Sequence, residues 1–181
     1  QWGADHGFAV LNLGIDRVEV IKGPSSLIYG ADALGGVIYL ADEPYANANK
    51  SEIKASTKFE TNSLATMNKI SYKKSKDNLR FAVYGGYFSR DNYAVGNSNF
   101  FNTSNKEFVT NSKNSGGSFK TAIGYNKKNW ITNFRYQLLY FQNGLPGHTH
   151  DADPDVSSFL TNNRSRSYTI PAQKIFNHLA Q

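Results

Sequence analysis

Residues 15–40 read IDRVEVIKGPSSLIYGADALGGVIYL. Two apolar runs flank a turn. In the first, Val18, Val20 and Ile21 are interleaved with Arg17, Glu19 and Lys22, the alternation of a strand with two unlike faces. Gly23-Pro24 ends it, because proline has no N–H to give to a ladder. Gly30, Gly35 and Gly36 punctuate the return, and Val37-Ile38-Tyr39-Leu40 reads as a second strand. A phosphate cradle would need GxGxxG after a strand, or GxxxxGKS, and the stretch has neither. Its glycines are therefore structural, placed where the backbone needs positive φ or close approach.

The composition changes after this stretch. Glu43-Pro44 and Tyr45 to Asn49 read as a linker, and beyond it come alternating segments of about ten residues each. In residues 51–61, Ile53, Ala55, Thr57 and Phe59 fall on one face, with Glu52, Lys54, Ser56, Lys58 and Glu60 on the other. Residues 66–74 set Ile70 and Tyr72 against Lys69, Ser71 and Lys73. Residues 79–90 gather Leu79, Phe81, Val83 and Tyr87 on one face. Residues 117–126 set Phe119, Thr121, Ile123 and Tyr125 against Lys120, Ala122 and Gly124. Residues 130–142 align Trp130, Phe134, Tyr136, Leu138 and Tyr140 against Asn133, Arg135 and Gln137, and a sixth segment starts near Pro171. The turns at Asp77-Asn78 and Asn126 to Asn129 are short, whereas the connections 91–116 and 143–170 are long. Alternating short and long connections are what an outer-membrane barrel shows. Trp130 at one end of the fifth segment and Tyr140-Phe141 at the other suit its two interfacial aromatic girdles.

Composition agrees. Charged residues are 19% and aromatics 14%, with 11 Tyr and 12 Phe. Mean hydropathy is −0.52 and no apolar run approaches 18 residues, which excludes a transmembrane helix but not a barrel, whose strands average to a polar value. The net charge of +6 is scattered through alternating segments and turns, with no recognition-helix pattern, so no nucleic-acid partner is expected. There are no cysteines, hence no disulfide framework and no thiolate metal site. No GxSxG elbow, HExxH motif or paired carboxylate placed for acid–base work is present; neither an enzyme nor a cofactor is expected.

The run Ile15-Asp16-Arg17-Val18-Glu19-Val20-Ile21-Lys22-Gly23-Pro24, then Tyr29-Gly30, then Gly35-Gly36-Val37-Ile38, resembles the end of the plug domain of TonB-dependent outer-membrane receptors. The resemblance implies an all-β chain in which residues 1–43 are the C-terminal part of a plug. Residues 44–181 would then be the first antiparallel strands of a transmembrane β-barrel, incomplete because the family's barrel has about 22 strands. An internal fragment is expected, beginning at Gln1-Trp2-Gly3 with no leader, and its open edges should make it misfold or aggregate alone.

The implied function is TonB-dependent active transport across the outer membrane, most often of an iron–siderophore or other metal complex. Cobalamin, haem and glycans are carried by relatives. The implied partners are the TonB energy-coupling complex, acting through a region outside this stretch, the cargo, and outer-membrane lipid. Arg17, Glu19 and Lys22 are implied as plug–barrel contacts, since a removable plug needs polar contacts that can re-form; Gly23, Gly30, Gly35 and Gly36 would be the plug's turn glycines. In the second long connection, His148, His150, Asp151 and Asp153 could touch a metal-bearing cargo, although Asp and Pro also suit a plain polar loop. Two other classes stay open: a plugless porin or adhesin barrel, and a soluble β-sheet binding module.

Overall fold

The computed structural model describes residues 13–30, 33, 35–95, 108–144, 160–162 and 173–181. Strands β1 (Ile15–Ile21) and β2 (Val37–Asp42) pair antiparallel, Val18 opposite Leu40 and Val20 opposite Ile38. Between them a 3₁₀ turn, Pro24–Tyr29, is closed by the buried Ser26, whose Oγ reaches the carbonyl oxygens of Gly23 at 2.8 Å and Ala33 at 2.6 Å. Gly36 has φ +119°, and a Cβ there would lie 2.9 Å from the Ile21 carbonyl oxygen, so the second strand can start against the first only with glycine. Gly23 and Gly30 also take positive φ, whereas Gly35 is not among the positive-φ residues.

The other strands form one antiparallel sheet: β3 (Ser51–Glu60), β4 (Ala65–Lys76), β5 (Leu79–Arg90), β7 (Asn114–Lys127), β8 (Trp130–Asn143) and β10 (Gln173–Ala180). They lie in the order β10-β8-β7-β5-β4-β3, so each joins its sequence neighbour and the edges at β3 and β10 stay open. Two-residue strands β6 (Phe108–Val109) and β9 (Leu160–Thr161) pair with each other, tying the two long connections together. The turns at 77–78 and 128–129 and the linker lie at one end of the sheet; the turn at 61–64 and both long connections lie at the other.

Directly opposed residues share a face. One continuous row therefore runs Ala55, Ile70, Gly85, Phe119, Leu138, and the next Ile53, Tyr72, Val83, Thr121, Tyr136. Large apolar side chains stand exposed on this face, among them Ile53, Ile70, Phe119, Ile123, Trp130 and Phe134. In water such a surface would be an aggregation liability; against hydrocarbon it is the surface a barrel needs. The opposite face carries the buried cluster Leu13, Ala82, Tyr84, Phe88, Ala122 and Phe141, in which Leu13 comes from the segment just before β1.

Two expectations are corrected. Phe141 belongs to no girdle: strand period two turns it inward from Tyr140, and it is 1% exposed, 5.5 Å from the Phe88 ring. The fourth barrel segment starts at Asn114 rather than Gly117, because Asn114 to Gly116 complete ladders to Arg90, Ser89 and Phe88 on one side and Asn143 to Phe141 on the other. Glycine is needed at 116, where a Cβ would lie 2.6 Å from the Tyr140 carbonyl oxygen.

Candidate functional site

The hairpin sits on the inward face of the sheet. Three small-against-large contacts seat it. Leu13 occupies the space over Gly86, where a Cβ would be 2.9 Å from its Cδ2. The Tyr84 ring in turn lies against Gly14, whose Cβ would be 2.7 Å from the ring and whose φ is +59°. Tyr45 of the linker covers Gly124, with its Oη 3.5 Å from Asn133 Oδ1. Burial pushes the Tyr45 phenol above its ordinary pKa, with Arg135 opposing, so it stays protonated.

Charge then fastens the seat. Asp42 and Glu43, at the end of β2, are the only adjacent carboxylates in the chain. Asp42 meets two cations of the sheet: Oδ1 pairs with Lys120 Nζ, and Oδ2 lies 3.0 Å from Arg135 Nε. Glu43 Oε2 is 3.1 Å from Lys73 Nζ and 3.9 Å from Lys54 Nζ. Lys54 and Lys73 also share Glu52, at 2.9 and 3.3 Å. The Lys73 side chain is 4% exposed and that of Lys120 10%, so each needs its partners: a buried ammonium is tolerated only when paired and hydrogen-bonded. Lys73 adds a hydrogen bond to the Pro44 carbonyl oxygen at 3.3 Å, and Lys120 lies over the Tyr84 ring at 5.8 Å.

The linker is stapled down with main-chain help. Glu43 N donates to Gly14 O at 2.8 Å, Ser75 Oγ to Ala46 O at 2.6 Å, and Ser75 N to Lys50 O at 2.9 Å. The chain thus leaves the hairpin, turns at the clasp and enters β3 within a few residues.

Of the residues singled out from sequence, Arg17 lines a gap of about 630 Å³ together with Asp42, Lys120 and Arg135. Its ion pairs, however, run to Glu19 at 2.6 Å and Asp16 at 3.7 Å, in its own strand. The bond to Glu19 raises the Arg17 pKa. Lys22 follows β1 at the turn. His148, His150, Asp151 and Asp153 lie outside the described residues. Among the described residues, Asp42, Glu43, Lys54, Lys73, Lys120 and Arg135, which sequence reading did not single out as a site, make ion pairs from the end of the hairpin to the sheet. The signal available was the unique Asp42-Glu43 pair beside strands that put lysines on the face turned away from lipid.

Residues 4–37 match the family model described as TonB-dependent Receptor Plug Domain. Those residues are a TonB-dependent receptor plug segment, and the chain is similar to a fragment of such a receptor. Its hairpin belongs to that plug, its six-stranded sheet is open at both edges, consistent with an incomplete barrel, and it resides in the outer membrane. The chain is also similar to the protein named "Iron-regulated outer membrane virulence protein" of Vibrio cholerae serotype O1, with 31% identity over 93 residues in strain ATCC 39541 and likewise in strain ATCC 39315. The match covers 49% of this chain and 14% of the relative, so this receptor segment spans only a small part of a protein of that length.

Proposed function

We propose that the receptor imports a metal complex, foremost an iron–siderophore complex, across the outer membrane in a TonB-dependent, energised step. The observation that carries this reading is the clasp: the hairpin is held to the wall by ion pairs of Asp42 and Glu43 beside glycine seats. Such contacts release and re-form, whereas a wide apolar seam between plug and wall would have to be hydrated at every opening. The name of the relative, which is iron-regulated and of the outer membrane, supports an iron-bearing cargo.

In this reading residues 1–43 belong to the plug and 44–181 to the wall. Energy reaches the plug from the TonB complex, and the cargo crosses without covalent change and without a cofactor. Arg17, Glu19 and Lys22 would meet wall strands beyond β10, and His148, His150, Asp151 and Asp153 would meet the cargo from outside. Cobalamin, haem or a glycan are the alternative cargoes.

The test is uptake of radioactive iron by iron-starved cells carrying the full-length receptor. Uptake should fall to the background rate when either the receptor or TonB is deleted and return on complementation. Uptake that persists without TonB would favour a plugless porin. TonB-dependent uptake of cobalamin, haem or a glycan in place of iron would change the cargo and leave transport standing.

A further inference from the structure

The inward face of the sheet is cationic well beyond the clasp. Four of its cations hold Asp42 and Glu43. One row nearer the linker stands Arg80, opposite Ser75 and Gly124. In the successive rows towards the long connections stand Lys69, opposite Ser56 and Gly86; then Lys58, opposite Met67; then Arg90, opposite Asn114. Every inward row from Arg80 to Arg90 thus holds a cation, over a rise of about 33 Å. The carboxylates on that face are Glu52, inside the clasp, and Glu60, which pairs with Lys58 at 2.8 Å and Arg90 at 3.9 Å. The bias belongs to this face: on the lipid side the described cations lie near strand ends, Lys74 and Lys76 at one turn, Lys127 at the next and Lys174 at the far end of β10.

A row of like charges on low-dielectric walls focuses its field into the space between them and raises the local concentration of the opposite charge. Several sites of moderate strength in file suit passage better than one tight site. The two carboxylates of the hairpin cover the cations of the two rows next to Arg80, at the linker end of this file. Once they withdraw, Lys120 and Arg135 lose the carboxylate they share and Lys73 keeps only Glu52, so the face gains net positive charge for an anionic partner to meet.

We propose that the cargo is an anionic metal chelate, which travels along these rows and takes the place of Asp42 and Glu43 on the clasp cations as the plug leaves. This rests on the transport reading above.

The test uses cells expressing the full-length receptor, with three probes sharing one metal: ferric tris-catecholate and ferric citrate, both anionic, and ferric trihydroxamate, which is neutral. The variant Lys58→Gln/Lys69→Gln/Arg90→Gln leaves the clasp intact; Lys58→Arg/Lys69→Arg/Arg90→Lys keeps the charge. Surface yield and the heat-induced mobility shift of the barrel confirm assembly of both. TonB-dependent uptake of at least one anionic probe should fall about tenfold in the glutamine variant, as three weak charge contacts together imply, and recover in the charge-preserving one. TonB-dependent uptake of the neutral probe alone, or anion uptake unchanged in the glutamine variant, overturns the inference and leaves transport standing. Failure of all three probes in a TonB-competent strain overturns this inference and the iron-complex cargo with it; the transport reading itself falls only if TonB-dependent uptake of cobalamin, haem and glycan fails as well.

Discussion

Replacing Asp42 by lysine should unseat the plug from the wall of the full-length receptor. The substitution brings a third cation to Lys120 and Arg135 and removes the carboxylate both share. Removing one partner of a well-buried pair costs about 3–5 kcal/mol; Asp42 keeps 37% exposure, so about 2–4 kcal/mol is expected for the seat. The measurement is twofold. Limited proteolysis of purified receptor should cut the plug faster, and cells should become sensitive to large antibiotics that the closed barrel excludes. Asp42→Asn should go part of the way, since it removes the counter-charge without adding repulsion. Asp42→Lys combined with Lys120→Asp should recover much of the loss, because the opposed charges are restored in place, and the coupling between the two sites is read from the double-mutant cycle. Independent additive losses would mean that the pair does not hold the plug.

The second large effect is on the other face of the same wall. Phe119 is half exposed, near the middle of β7, in the row Ala55, Ile70, Gly85, Phe119, Leu138. If that face meets lipid, Phe119→Arg costs about 2–4 kcal/mol, the penalty for a basic side chain near the bilayer midplane of a barrel. Assembled receptor in the outer membrane should drop sharply, read as the loss of the folded, heat-modifiable species. A charge on the inward face gives the control. Gln137 stands opposite Lys120 and beside the gap under the hairpin, so Gln137→Glu should assemble normally. Equal tolerance of both substitutions would contradict the sidedness of the sheet.

The wall was legible in the sequence because each strand carries its own signal. Alternation in residues 51–61, 66–74, 79–90 and 130–142 needs no partner to be seen, and the structure puts Ile53, Tyr72, Val83 and Tyr136 on one face as the alternation requires. The hairpin was legible because Gly23-Pro24, Tyr29-Gly30 and Gly35-Gly36 are local backbone requirements. The clasp was not. Alternation tells which face Lys73, Lys120 and Arg135 occupy but not their register. That they converge on residues 42 and 43 follows only once β4, β5, β7 and β8 are aligned. Arg17 and Glu19 stood out for the same local reason, and locally they satisfy each other. Phe141 and Asn114 to Gly116 show the complementary failure. An aromatic pair at a strand end and a run of Asn, Ser and Gly have average meanings, and here the interlock of Phe88, Gly116 and Phe141 decides theirs.

The seat of the plug on this wall can be measured directly. This stretch contains no cysteine, so a pair introduced as Leu13→Cys and Gly86→Cys places two thiols where a side chain of the plug now lies over a glycine of β5. A second pair, Thr57→Cys and Asn68→Cys, joins directly opposed residues of β3 and β4 and reports only on the wall. In full-length receptor in the outer membrane, mild oxidation should cross-link both pairs, and the first cross-link should stop TonB-dependent uptake until it is reduced. Cross-linking of the wall pair with none between residues 13 and 86 would contradict the seat from which the clasp, and the release it permits, are argued.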